Sequence, residues 1–335
     1  MHDKMWEWLD EFPGQIEHAA KLGEDWDLDG LERPESIAFL GIGGSAIGAT
    51  LVSDLYRQQL NCPVVVSRGD QPPSWLGKGH LAVAISYSGE TKETLTSYRR
   101  ALEKGASGIS ISSGGSLAAL AQERNLPHLL IAGGMAPRAA LGYTSLPLIH
   151  VLQKLNVIPS ADLALDATRR LLESLRVEWG DRAGAGAGVA RRLIAHLPIL
   201  VGAGFTCSIA RRFQAQLAEN AKAVSILFEI PEALHNLVET VDIKLADTLN
   251  PIAVYLEDPD GPEEWRALLK NVRAVFQGAG IEGVVVSAQG DDDLTKLFSL
   301  VHKTDWISYH LAKLKAVDPL TIPIITALKE KTSHQ

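Results

Sequence analysis

From Ile37 onward the chain repeats one pattern: a short unbroken apolar run, a glycine or serine cluster, then a stretch with helical spacing. It reads SIAFLGIGG, SAIGATLVSDLYRQQL, PVVVSRG, HLAVAISYSG, TKETLTSYRRALEKG and ASGISISSGG. An unbroken apolar run is a strand buried on both faces, and alternation with helices makes the sheet parallel and covered on both sides. LPHLLIAGG supplies a further strand. The pattern then begins again: LPILVGAGFTCSIARRFQAQLAENAK can be laid on SIAFLGIGGSAIGATLVSDLYRQQL, with Gly202 under Gly41 and Gly204 under Gly43. An offset of about 160 residues predicts an internal duplication of a doubly wound unit. The expected fold class is α/β, two αβα sandwich domains with parallel sheets. Residues 1–30 are expected to form a helical cap split by Pro13, and residues 31–155 the first domain. Residues 156–335 are expected to hold a linker helix, the second domain and a C-terminal helix.

The 335 residues suffice for two domains, and the apolar and charged fractions, 46% and 21%, are those of a globular protein. A net charge of -8 argues against a general nucleic-acid surface. Cys62 and Cys207 lie far apart and lack metal-ligand spacing, so neither a disulfide framework nor a zinc motif is expected. The N-terminal MHDKMWEWLDEFPGQ lacks the basic start and apolar core of a signal peptide, and no apolar run reaches the roughly 18 residues of a membrane span. No membrane partner and a cytoplasmic location are the expectation.

Two loops carry the chemistry. In GIGGSAIG, the glycines at 41, 43 and 44 stand between a strand and a helix, where backbone can approach a ligand and amides face it at the positive end of the helix. By spacing alone this also fits a dinucleotide fingerprint. SYSGET, Ser86 to Thr91, crowds hydroxyls after a second strand and before a second helix. Both loops fall on the carboxyl edge of one sheet, and their convergence suits a compact phosphate better than an extended dinucleotide. GGMAPRAALGY returns Arg138 toward the same edge, where a guanidinium can meet a phosphate or a developing oxyanion. In the second half, RRFQAQLAENAKA is a helix with an apolar face on Phe213, Leu217 and Ala221, followed by VSILFEIPEALHN. By residue type alone, Glu219 and His235 there read as a surface carboxylate and a structural donor.

Taken together, FLGIGGSAIGA, SYSGET, PRAALGY, AENAKA, ALHNLVE and AVDPLTIPIITALKEK resemble the bifunctional phosphoglucose/phosphomannose isomerase family, built from two sugar isomerase (SIS) domains. The resemblance runs from EFPGQIEHA to the last helix. It implies that Gly44, Ser45, Ser86, Ser88 and Thr91 bind the phosphate of a sugar phosphate. It further implies Glu219 as catalytic base, His235 as a ring-opening histidine donated across a homodimer, Lys329 as a lysine reaching in from the C-terminal helix, and Arg138 beside the reacting carbons. Moving a proton between C2 and C1 through an enediol needs a carboxylate able to take and return it, and no metal or redox cofactor. Ring opening needs an acid and a base, roles suited to His235 and Lys329. The chain departs from the family where the tail reads DPLTI: Leu320 stands where a threonine would fall, and Thr321 follows one place later. In the family that threonine is associated with accepting the C2 epimer, so the departure bears on mannose 6-phosphate.

Two other readings are open to the same residues. An NADP-dependent oxidoreductase would use GIGGSA with Arg68 on the 2'-phosphate. A non-catalytic sugar-phosphate sensor would keep the loops without the acid-base residues. The second phosphate loop and the repeated domain weigh against the first. Against the second stand Glu219, His235 and Lys329, together with the lack of room for a DNA-binding helix-turn-helix. A related aminosugar or ketose-phosphate enzyme is the nearest catalytic alternative.

Overall fold

The protein is described from a computed structural model covering residues 3–333. The chain forms two compact bodies. The N-terminal body comprises Glu11–Arg170 with Asp292–Thr295, and the C-terminal body comprises the described residues 3–10, 171–291 and 296–333. The first helix, α1 (Lys4–Asp10), thus groups with the C-terminal body, where Asp10 is paired with Arg176 at 2.9 Å. The next, α2 (Phe12–Asp25), opens the N-terminal body. These helices part at Glu11 and not at Pro13 as expected, because Pro13 falls in the first turn of α2, where a missing N–H has no partner to lose.

The N-terminal body continues through β1 (Ile37–Leu40), α3 (Gly44–Leu55), β2 (Val64–Ser67), β3 (Leu81–Ile85), α4 (Lys92–Glu103), β4 (Ser107–Ser112), α5 (Gly115–Glu123), β5 (His128–Leu130) and α6 (Leu141–Lys154). Its five strands are parallel in the order β2-β1-β3-β4-β5. Every residue of β1 and β3 is buried, as their unbroken apolar sequences require of central strands. The order reverses between β1 and β3, so the loops leaving these two strands flank the crevice where open α/β sheets take ligands.

Helix α3 crosses α6 so closely that a Cβ on Gly48 would lie 2.3 Å from the Thr144 carbonyl oxygen. Gly48→Ala is therefore expected to destabilise this body by about 1–3 kcal/mol. Calorimetry of the variant checks it, and an unchanged transition would show that the crossing yields.

The division between the bodies falls inside α7 (Leu165–Gly180). The C-terminal body then runs through α8 (Ala185–Leu193), β6 (Leu197–Ala203), α9 (Thr206–Ala221), β7 (Ile226–Ile230), α10 (Ile243–Leu249), β8 (Pro251–Glu257), α11 (Glu263–Gly278), β9 (Gly283–Ser287), α12 (Asp293–Leu314) and α13 (Pro323–Ser333). Its four strands are parallel in the order β7-β6-β8-β9, the order of the first sheet without its last strand. The repeat extends to single dihedral angles: Gly43 and Gly204 follow equivalent strands with φ of 59° and 60°, a left-handed turn that favours glycine. Among the described residues no helix is long and apolar enough to cross a membrane.

Candidate active site

In the N-terminal body the register of β1 on β3 pairs Leu40 with Ala84, which sets Gly41 beside the end of β3. A Cβ on Gly41 would lie 3.0 Å from the Ile85 carbonyl, so the first loop lies directly along the second. Side chains then fasten the two. Ser45 Oγ accepts from the Tyr87 amide at 3.0 Å, and the Tyr87 hydroxyl accepts from the Met135 amide at 3.0 Å. Burial pushes the Tyr87 phenol up, so it stays a neutral partner. On the far side, Ser113 donates to the Tyr87 carbonyl at 2.8 Å, and Glu90 accepts from the Ser116 amide and hydroxyl at 2.7 and 2.8 Å. Gly89 fits between these loops only without a side chain, since its Cβ would fall 1.9 Å from the Gly114 carbonyl oxygen.

Within this cluster Ser86 is fully buried, and its hydroxyl meets Thr91 Oγ1 at 2.9 Å. Ser88 is exposed, and its Oγ accepts from the Glu90 amide at 3.3 Å. A hydroxyl has one proton and two acceptor sites. The loop uses the acceptor side of Ser45 and Ser88, leaving both protons for donation, while Ser86 and Thr91 use one proton between them. Among the described residues, the amides of Gly44 and Ser88 also donate to no protein group. Hydroxyl and amide donors without a nearby cation requirement are what a phosphate accepts from at a helix N-terminus.

Gly44 packs against the 3₁₀ turn Pro137–Ala139, where its Cβ would lie 3.2 Å from the Arg138 amide nitrogen. This brings buried Arg138 to the same loops. Its turn is held by Gln15, which donates to the Ala139 carbonyl at 3.0 Å and accepts from the Gly142 amide at 2.7 Å. Gln15 was not singled out from sequence, although a buried amide on the apolar face of α2 is a signal that could have found it. Arg68, the residue offered for a 2'-phosphate, donates to Thr50 Oγ1 at 2.5 Å.

The C-terminal body keeps the turn of the first loop and loses its donors. Thr206, at the position of Ser45, accepts from the Ala203 amide and lies 2.9 Å from the Leu256 carbonyl, to which it donates. The Trp265 indole covers Gly204, 3.3 Å from the place of its Cβ. At the end of β8 stand carboxylates: Glu257 paired with Arg273 at 2.9 Å, and Asp258 with Lys296 at 3.1 Å. A filled, acidic turn does not suit an anion.

What this body offers instead is the end of α9. Glu219 is half-buried in the last turn of the helix, two residues before its end, and Phe213, Leu217 and Ala221 are fully buried as the sequence pattern required. The helix is fixed by a polar ladder onto α12. Arg212 and Gln216 both donate to buried Asp305, and Asn220 donates to Ser308 at 3.0 Å. Beyond the helix, Lys222 takes a left-handed φ of 50° and extends its ammonium to the carbonyls of Glu219, Asp318 and Thr321 at 2.8, 2.6 and 2.7 Å. His235 is exposed at the end of a 3₁₀ turn, and its imidazole makes no hydrogen bond to another described residue. Lys329 lies exposed on α13.

Residues 30–134 match the SIS domain family, and residues 185–332 match the bacterial phospho-glucose isomerase C-terminal SIS domain. The chain is 32% identical to the bifunctional phosphoglucose/phosphomannose isomerase of Caldicellulosiruptor bescii, over 98% of this chain and 99% of that one. The chain belongs to that family. The bifunctional phosphoglucose/phosphomannose isomerase family is also represented by the Aquifex aeolicus protein of the same name, 30% identical over 89% of this chain and 90% of that one. A D-glucosamine-6-phosphate 4-epimerase of Sulfolobus acidocaldarius is 26% identical over 78% of this chain and 86% of that one. Among solved structures, the C-terminal domain of glucosamine-fructose-6-phosphate aminotransferase from Francisella tularensis superposes with a TM-score of 0.74, at 17% identity, over 95% of this chain and 98% of that one. At that identity the likeness concerns the fold.

Proposed function

We propose that this isomerase-family chain interconverts glucose 6-phosphate and mannose 6-phosphate with fructose 6-phosphate. The observation that carries the reading is the donor set of the first two loops, where Ser45 and Ser88 spend their acceptor sites on the fold and keep their protons. The phosphate is bound by the Gly44, Ser45, Ser88 and Thr91 donors, with Ser86 holding Thr91 in place. Arg138 stabilises negative charge on the enediolate. Glu219 removes the proton from C2 and returns it to C1, or the reverse, and His235 and Lys329 assist ring opening. His235 serves a neighbouring copy in a homodimer. Its exposure supports this, as do Ile324 and Leu328, apolar residues one turn apart on α13 that are 77% and 58% exposed.

The test is to supply fructose 6-phosphate in D2O and follow it by NMR. Formation of both aldose phosphates with deuterium gained at carbon is expected, because an enediol exchanges its proton with a carboxylate open to solvent. Product without deuterium would point to hydride transfer. Turnover of glucosamine 6-phosphate alone, with inversion at C4, would move the chain to the chemistry of its epimerase relative.

Ser45→Ala is expected to raise KM for fructose 6-phosphate about tenfold or more while changing kcat less, since the lost donor acts on the non-reacting phosphate. Steady-state kinetics decide it. An unchanged KM would remove Ser45 from the phosphate site.

A further inference from the structure

The ammonium of Lys222 gathers carbonyl oxygens from two segments far apart in the chain. Glu219 O at 2.8 Å belongs to the end of α9, and Asp318 O at 2.6 Å and Thr321 O at 2.7 Å belong to the strap between α12 and α13. The Asn220 carbonyl lies further off, at 3.4 Å. An ammonium has three protons in tetrahedral array, and the three short contacts match them. The tie is reciprocal, because Lys315, at the start of the strap, donates to the Lys222 carbonyl at 3.0 Å. Within the strap, Leu320 N donates to Asp318 Oδ1 at 2.9 Å, so the Asp318–Thr321 turn is itself shaped. The left-handed φ of Lys222 turns its chain back past the end of α9, which is how a residue outside the helix reaches the carbonyl of Glu219.

We infer that Lys222 is a positioning residue for substrate selectivity: it holds the Asp318–Thr321 strap in register with the backbone of Glu219. This rests on the reading of Glu219 as the base. The two aldose phosphates differ only in the configuration at C2, the carbon whose proton the base handles. Discrimination between them depends on groups fixed with respect to that base, and displacements of about 1 Å at such a site cost up to about a hundredfold in rate. The strap is the segment bound to the base's own carbonyl, and it carries the Thr321 hydroxyl and the Leu320 side chain. A loose strap would alter the two substrates unequally.

The experiment compares the full-length protein with Lys222→Met, Lys222→Arg and Lys315→Met. Methionine is unbranched like lysine at φ of 50°, nearly as long, and removes the ammonium with its charge and its three donors. The ratio of kcat/KM for glucose 6-phosphate to that for mannose 6-phosphate is expected to shift about tenfold in Lys222→Met. It should recover in part in Lys222→Arg and move in the same direction in Lys315→Met. The inhibition constant for inorganic phosphate, a probe of the N-terminal loops, is expected to stay unchanged. Hydrogen exchange at the Leu320 and Thr321 amides should accelerate in Lys222→Met. Equal loss on both sugars would reduce Lys222 to a purely structural role, and unchanged exchange would show that it does not hold the strap. Either result overturns the inference. Failure of the base reading shows separately, as full activity in Glu219→Gln. If the wild type turns over neither sugar, both the isomerase reading and the selectivity role fall, and the exchange measurement alone decides whether the tether exists.

Discussion

Glu219→Gln is expected to lower turnover of both aldose phosphates by about a thousandfold, with KM changed far less. The amide keeps the size and hydrogen-bonding reach of the carboxylate but cannot accept the C2 proton. The Ser45, Ser88 and Thr91 hydroxyls proposed as phosphate donors are unaltered in this variant, so substrate binding is expected to persist. Deuterium incorporation from D2O into fructose 6-phosphate should fall in parallel with turnover, because both pass through the same proton transfer. Loss of product with exchange retained would assign the base to another residue and leave Glu219 a role in ring opening. The orientation of Glu219 depends on α9 ending where it does, on the ladder to α12 and on the Lys222 turn, so the variant tests the charge and leaves the scaffold intact.

The largest stability effect is expected at Arg212. The residue is 3% exposed and its guanidinium pairs with Asp305, 2% exposed, on α12, and Gln216 donates to the same carboxylate at 2.7 Å. Arg212→Met leaves the Asp305 charge buried with one neutral partner. Removing one member of such a pair costs about 3–5 kcal/mol, because the desolvated charge that remains has lost its counter-ion. Arg212→Met combined with Asp305→Leu should recover most of that loss, since the two ions together contribute little beyond what apolar packing would supply. Denaturant unfolding of the C-terminal body in the single and double variants checks both expectations. Equal destabilisation of single and double variants would mean that the pair itself, and not the orphaned charge, carries the energy.

Neighbouring on α12, His302 is fully buried and accepts from the Trp306 indole at 3.1 Å. Burial pushes its pKa down to about 3, which favours the neutral imidazole through the physiological range. Lys303 is pushed down to about 8 by burial, with its ammonium on the Ser287 carbonyl at 2.7 Å. Both side chains are buried along α12.

The two donor loops, GIGGSAIG and SYSGET, were legible because their signal is local. A run such as LAVAI followed by SYSGET states its own burial, its turn and its donors within about a dozen residues. The match of Gly202 to Gly41 and Gly204 to Gly43 made the duplication legible as well, and the structure adds that Gly43 and Gly204 share a positive φ of 59° and 60°. The division of labour among hydroxyls was not legible. Nothing in SYSGET says that Ser86 turns inward to Thr91 while Ser88 faces solvent; the pleat and the β4 loop decide it. Nor did composition raise Glu219 above a surface carboxylate.

The amino-acid sequence by itself determined the α/β class, the parallel pairing of buried strands and the glycine turns that follow them, because each is written in a few consecutive residues. It showed the duplication because that local pattern recurs about 160 residues later. Only the tertiary structure decided which partners complete them. Arg212 reaches Asp305 across 93 residues of chain, and Lys222 reaches Asp318 and Thr321 across 96 and 99. Such pairings leave no periodic trace, since a lone polar residue on a helix looks the same whether water or a distant carbonyl satisfies it. The folded chain supplies those partners, and through them sets where α9 ends and where the strap lies beside Glu219.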